Sequence, residues 1–470
     1  MTDAVLADPV LAGPVPPAER LKFRAVLRAL RHDPLSVYSE EAYESPIIDY
    51  RLLALRTFLV SDPDGIKHVL LDNAANYRKP DIMRRIFEPG LGRGLLTSEG
   101  ATWRIQRRIM APAFDAASMR SYAPVIGDTT AKLIESWAQL SPGSTVDMFP
   151  AMMRLTLQII SRTMFSSDSD EIAGIIERSF ADSQANSMPN IFDFIGLPAW
   201  LAGWRRNAFR RSLFAPFDAA IHRLIEGRRR TEDGRRDLLA RLVAARDDDS
   251  GQGMSSAEIR SHAITVFLAG HETTALALTW TWYLLSRHPL HEARLHGELD
   301  DVLGGRPPTH DDLPNLPYTR MVIEESMRLY PPAPFMSREP IADDLICGHK
   351  IPKGAYVAIN PWIVHRHRRL WDNPLRFDPE RFLPERSADR PRFAYLPFGG
   401  GPRICIGASF AMMEAVLVLA ALAQTYRFRL VPGHPVEPRG MFTLQPKYGM
   451  AMSVEPRAGK GTPSAGRGGN

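Results

Sequence analysis

Between Ala18 and Leu290, apolar residues recur at the intervals of a helix face, broken by short turns, and strand-like alternation is scarce. The pattern predicts a mostly helical protein. Two early runs depart from it, Ile47 to Leu53 and Arg56 to Val60, the second closed by the turn signal Ser-Asp-Pro-Asp-Gly at Ser61 to Gly65. A second strand-rich patch covers Ile341 to Ile359, where glycine and proline between Gly348 and Gly354 supply turns. The fold class expected is therefore mainly α with small β-sheets, an α+β arrangement.

The longest helical pattern opens at Ser255, where Ser255 and Glu258 are spaced as a capping box, and runs to His288, with Pro289 ending it. Such a helix is roughly 50 Å long. A second apolar helical pattern covers Ala408 to Tyr426. Its most apolar stretch, Ala415 to Ala423, falls short of the roughly 20 residues that cross a bilayer, so no transmembrane anchor is expected. No fixed-period repeat or flexible linker divides the chain, which reads as one domain over 1–455 followed by a disordered tail, 456–470.

Composition narrows this picture. A chain of 470 residues, 44% hydrophobic, can bury a large core. Its cysteines, Cys347 and Cys405, are too few for a disulfide framework and fit a reducing compartment. Cys347, in the second strand-rich patch, is expected to be a small buried apolar residue. The N-terminal residues carry no basic stretch followed by an apolar run, so no secretory signal is read and a cytoplasmic location is expected. The net charge of +5 is spread along the chain, which argues against nucleic-acid binding.

The candidate chemistry centres on Pro397 to Phe410, PFGGGPRICIGASF. Three glycines and a proline precede Cys405, and a helical pattern follows, so the sulfur is expected near a helix N-terminus, where free N–H groups favour a thiolate. A dinucleotide or phosphate loop does not fit, because Ile404 stands where a glycine is needed and no lysine follows. A hydrolase elbow fails at Ala411. The bland alternative is a buried cysteine beside an ordinary glycine turn.

This segment resembles the haem-binding signature of the cytochrome P450 superfamily, with Phe398, Gly401, Arg403, Cys405 and Gly407 at the motif positions. The resemblance implies haem b with Cys405 as the axial iron ligand and Phe398 packed beside the sulfur. It further implies glycines that let the backbone approach the porphyrin, and Arg403 on a propionate. Thiolate donation then favours cleavage of the oxygen–oxygen bond.

In the middle of the long helix lies AGHETT, Ala269 to Thr274, polar groups on an otherwise apolar stretch. It resembles the oxygen-activation motif of the same family. That implies Glu272 and Thr273 as the catalytic proton relay, with small Ala269 and Gly270 making room for oxygen. The bland reading has Thr273 bonding back to a carbonyl one turn earlier and Glu272 on a solvated face. A zinc-protease pattern fails because Ala275 occupies the place of its second histidine.

Glu325 and Arg328, three residues apart on a helical pattern, can pair. With Arg381 they resemble the family's structural triad, a scaffold rather than a catalytic group. Trp103 and Arg107 resemble the aromatic and basic pair of a helix that grips the haem propionates, and Arg338 stands where relatives place another propionate-binding arginine.

The whole resemblance implies a cytochrome P450 fold, with haem between the long central helix and the helix after the cysteine. The activity implied is insertion of one atom of dioxygen into an apolar small molecule, with electrons from a separate ferredoxin or flavodoxin and an NAD(P)H-dependent reductase. An acidic ferredoxin is expected to dock over Cys405 at Arg104, Arg108, Arg366, Arg368 and Arg369. Phe267, Leu268, Ala269, Thr273, Phe335, Met336 and Phe442 are expected around the substrate, though Phe442 could equally be core. Asn190 to Trp204, an unusually aromatic run, stand where relatives have a lid over the entrance, with packed core as the favoured alternative to contact with a membrane. A peroxide-driven enzyme and a non-catalytic haem sensor are the rival functions, and Glu272 with Thr273 argues against both.

Overall fold

Ser255 caps the longest helix, Ser256–Arg287, from both sides: its Oγ accepts from the Glu258 N–H at 3.3 Å, and its own N–H donates to Glu258 Oε2 at 2.9 Å. Pro289, with no N–H to satisfy, opens the next helix, Pro289–Leu303. The 32 residues of the central helix span about 48 Å. Residues on nearly every side of it are buried, as for a helix that runs through the core rather than along its surface.

In the computed structural model of the chain, the described residues are 11–457 apart from 53–54, 142, 167–173, 175–203, 231–236 and 247–252. The expected lid lies outside them except for Trp204, which opens the helix Trp204–Arg230. Against one side of the central helix packs Met148–Phe165, where Thr156 Oγ1 donates to the His271 carbonyl at 2.8 Å. The helix that follows the cysteine, Ala408–Thr425, packs on the central helix and on Ala116–Trp137, with Tyr122 and Phe410 edge to face at 5.9 Å. By length and composition Ala408–Thr425 could cross a membrane, contrary to the shorter apolar stretch read from the sequence, but most of it is buried as a core helix.

Both early strand runs form, as Ile47–Leu52 and Leu55–Val60, an antiparallel hairpin with Ile47 opposite Val60. Leu55–Val60 pairs parallel with Tyr356–Ile359, which pairs antiparallel with Met336–Pro340, and Tyr77–Arg78 closes a five-stranded sheet. Met336–Pro340 brings Arg338 into this sheet. A three-stranded sheet joins Thr145–Asp147, Ala451–Pro456 and Tyr426–Leu430. The expected tail boundary is therefore too early: Pro456 pairs with Tyr426, and the Arg457 N–H donates to the Thr425 carbonyl at 2.8 Å.

Cys347 also departs from expectation. It sits exposed at the turn between Asp344–Ile346 and His349–Ile351, with φ of 48° followed by Gly348 at 78°. Two successive positive φ values are what a tight hairpin turn demands, and that demand carries the side chain out of the core. Its Sγ donates to Asp62 Oδ1 at 3.5 Å.

Candidate active site

The cysteine loop is shaped by backbone that needs glycine. Gly401 has φ of 67°, and a Cβ there would overlap the carbonyl oxygen of Leu70. The Cys405 N–H then donates to the Phe398 carbonyl at 2.9 Å, folding the loop over, and Gly407 forms the N-cap of Ala408–Thr425. Cys405 is accessible by surface area, yet protein crowds it closely enough for burial to push its thiol up, against the Gly407 N–H and the Arg107 guanidinium. That combination belongs to a side chain facing an internal opening. Arg107 donates from Nη1 to the Ile404 carbonyl at 2.8 Å, so it braces the loop.

Behind the loop, Glu325 and Arg328 are wholly buried and paired in a fork, at 2.6 and 2.8 Å. Arg328 donates further to the carbonyls of His365, Pro374 and Arg376, and Arg381 Nε lies 3.5 Å from Glu325 Oε1. The triad expected from sequence is assembled.

Three cations, Lys79, Arg338 and Arg403, share one acid, Glu99, within electrostatic reach, and the Lys79 Nζ itself donates to the carbonyls of Leu95 and Ser98. Arg403 pairs with Glu99, and Glu99 Oε1 also accepts the Lys79 backbone N–H at 3.1 Å. Burial, then Arg403 and Arg338, pull the Lys79 ammonium down to about 7; burial and Arg403 pull Arg338 down to about 10. Arg338 donates to the carbonyl of Ser337, and among the described residues Arg403 Nη1 is buried without a partner. Trp103 lies 4.4 Å beneath the Arg403 guanidinium and 5.7 Å from that of Arg107. Arg338, Arg403 and Trp103 are thus brought together and Arg107 is turned toward Cys405. Lys79 and Glu99 carry no spacing signal in the sequence.

On the central helix, Ala269 is exposed and Thr273 partly so, although most residues around them are buried, so this face meets open space. Thr273 Oγ1 donates to the Ala269 carbonyl at 2.6 Å, the back-bond of the bland reading. Glu272 is not on a solvated face. It is buried, and its Oε1 accepts from Thr443 Oγ1 at 2.7 Å and Gln445 Nε2 at 2.5 Å. Burial pushes its carboxyl up to about 7 against those two hydrogen bonds. Gly270 faces Ile160, whose Cδ1 would lie 2.8 Å from an added Cβ, so its small size serves helix packing rather than an open space.

Of the residues expected around the substrate, Leu268, Phe335 and Met336 are half-buried and Phe442 is 52% exposed, its ring 4.6 Å from Phe87. Phe267 is a correction: it is fully buried, stacked on Phe165 at 4.1 Å and edge-on to Phe217. Arg366 is another: it is buried against Trp362 at 3.4 Å and donates to the Leu329 carbonyl, away from any docking surface. Arg368 pairs with Glu40 and Glu44, whereas Arg104 and Arg108 are exposed. A depression of about 460 Å³ lies beside the cysteine loop, bordered by Phe398, Ile404, Met412, Arg320 and Arg392.

The family model described as Cytochrome P450 matches residues 16–452. The chain belongs to the cytochrome P450 family. Similar curated proteins include cyclooctatin synthase of Streptomyces melanosporofaciens, 37% identical over 90% of this chain and 92% of that protein. Pentalenene oxygenase of Streptomyces avermitilis is 33% identical over 87% of this chain and 90% of its own length. Among solved structures, the cytochrome P450DA heme domain superposes with a TM-score of 0.81 at 26% identity, covering 96% of this P450 and 99% of that chain. This P450 is therefore a haem-thiolate monooxygenase with haem b, served by dioxygen, a substrate and redox partners. Its residues fit that group: an accessible cysteine for iron, and in a cation-rich cluster a buried guanidinium nitrogen without a partner among the described residues, for the anionic edge of the porphyrin.

Proposed function

We propose that this P450 oxygenates an apolar, unsaturated carbocyclic molecule or its alcohol, with Cys405 as the iron ligand. The names of its relatives, pentalenene oxygenase and cyclooctat-9-en-7-ol 5-monooxygenase, support that substrate class. The observation that carries the site assignment is the excess of positive charge at Lys79, Arg338 and Arg403 over Glu99, with Arg403 two residues before an accessible Cys405.

Haem b, when bound, supplies the dioxygen activation and one-electron chemistry that side chains lack. Cys405 holds the iron from its loop, with Phe398 and Gly407 shaping the surroundings of the sulfur and Arg107 bracing Ile404. Arg338 and Arg403, aided by Lys79 and backed by Trp103, receive the two propionates. Gly401 lets the loop lie close to its neighbour. Ala269 keeps the central helix open on the substrate side, while Gly270 seats that helix against Ile160. Thr273 orders water there, and Glu272 keeps a proton available near neutral pH.

Electrons come from a separate acidic ferredoxin or flavodoxin, itself reduced by an NAD(P)H-dependent reductase, docking at the depression beside the cysteine loop. Arg104, Arg108 and Arg392 offer it exposed positive charge. The two cysteines, too few for a disulfide framework, favour a reducing, cytoplasmic location. Two measurements test this reading. Reduced protein under carbon monoxide should show the red-shifted Soret band of a sulfur-bound haem and lose it in Cys405→His; a band unchanged in the variant overturns the ligand assignment. Reduction by ferredoxin should slow as salt rises, and a salt-independent rate overturns the docking site.

A further inference from the structure

Thr443 and Gln445 flank Leu444 at the start of the short strand Leu444–Pro446, which pairs with Pro438–Gly440. Alternate residues of an extended segment project to the same side, and both of these end on one atom, Glu272 Oε1. They also meet each other, Gln445 Nε2 to Thr443 Oγ1 at 3.3 Å. With Oε1 taking both donors, Oε2 is the oxygen left to carry the proton.

Both donors are uncharged. The ionisable neighbours do not change that: His271 on the same helix turns Nδ1 to the Phe267 carbonyl and is held neutral by burial. Burial raises the Glu414 carboxyl of the cysteine helix well above its ordinary value, against Thr274, and Met441 to Pro446 carry no ionisable side chain. The influences on the Glu272 carboxyl are burial and the two hydrogen bonds. The strand itself is pinned, since Trp280 Nε1 donates to the Leu444 carbonyl at 2.9 Å and the Leu444 N–H donates to Pro332 at 3.0 Å. The turn of the same hairpin carries Phe442, exposed and touching Phe87.

We propose that Thr443 and Gln445 are positioning residues that hold the Glu272 carboxyl and set the pH at which it releases its proton, so that one hairpin serves both proton delivery and the rim of the substrate pocket. The inference rests on the reading of Glu272 as proton donor. The proton leaves Oε2 for water ordered at Thr273, and Glu272 regains one from solvent; no other bond changes.

The test uses the holoenzyme with its redox partners, reading product formed per electron consumed against pH, together with KM and the carbon monoxide band. In the resting enzyme, the infrared carboxyl stretch that Glu272→Gln removes reports the same titration without turnover. Thr443→Val and Gln445→Leu each delete a donor that favours the charged form, so both midpoints should move to higher pH. Gln445→Lys sets an ammonium against the carboxylate and should move them down by about one unit or more. KM and the carbon monoxide band should stay within twofold of the parent in all three. Midpoints that stay put, or that shift the same way in every variant, overturn the positioning role. If Glu272→Gln keeps the parental pH profile, the proton-donor reading itself falls. If it abolishes the inflection while the hairpin variants leave it in place, only the positioning role falls.

Discussion

Two buried carboxylates divide the molecule between scaffold and chemistry. Glu325, behind the cysteine loop, meets the guanidinium of Arg328 in a fork, Arg381 alongside, and the Asp378 N–H at 2.9 Å. Glu272, on the central helix, meets a hydroxyl and an amide. Burial is similar and company is not. A buried carboxylate matched by cations ties distant segments together. One matched only by neutral donors is left close to the balance between its two protonation states.

The largest expected contrast lies in removing Glu325. Glu325→Ala strands a fully buried Arg328 and should destabilise the fold by about 3–5 kcal/mol, read by denaturant unfolding; a loss under about 1 kcal/mol would mean that the carbonyls of His365, Pro374 and Arg376 satisfy Arg328 unaided.

Glu272→Gln should do the opposite at alkaline pH. Its carboxyl is raised from 4.5 to about 7 in the fold, so the folded state binds the proton more tightly than the unfolded chain. Stability from this group is full below pH 4.5 and declines as pH rises to about 7. Above that, the variant should be the more stable protein by up to about 3 kcal/mol, and the two should converge in acid. Equal stability at pH 8 would place Glu272 on the same footing as Glu325.

Gly270→Ala forces a methyl toward Ile160 and should cost about 1–3 kcal/mol in thermal unfolding, without altering the pH response of Glu272; a neutral outcome would show that Met148–Phe165 yields easily. The smallest effect belongs to the other cysteine. Cys347→Ser, at an exposed turn, should stay within about 0.5 kcal/mol of the parent and leave the carbon monoxide spectrum untouched, whereas Cys405→Ser abolishes the characteristic band.

Sequence made the scaffold half of this contrast easy to read and the chemical half harder. The capping box at Ser255 and the proline at Pro289 bound the central helix because helix ends are local events. Glu325 and Arg328 are one turn apart, and their pairing is equally local. Thr443 and Gln445 stand 171 and 173 residues from Glu272, so no window of sequence contains both sides of that contact. Phe267 lies two residues from Ala269, yet the rotation of a helix between them turns one to the core and the other to open space. Arg366 reads as surface charge beside Arg368 and Arg369; its planar head instead stacks on Trp362 inside the fold. Gly270 was legible as small, but the neighbour that requires it, Ile160, comes from a different helix.

The Trp280 indole, fastened to the Leu444 carbonyl, restricts how this enzyme can diversify. Because that clasp, with the Pro332 carbonyl, pins the strand between Thr443 and Gln445, remodelling the loop at Phe442 to admit a bulkier molecule would also disturb the acid two turns up the helix from Trp280. Variants selected for new substrates through this loop should therefore leak reducing power as peroxide, and recovering thrift would require a compensating change on the central helix itself.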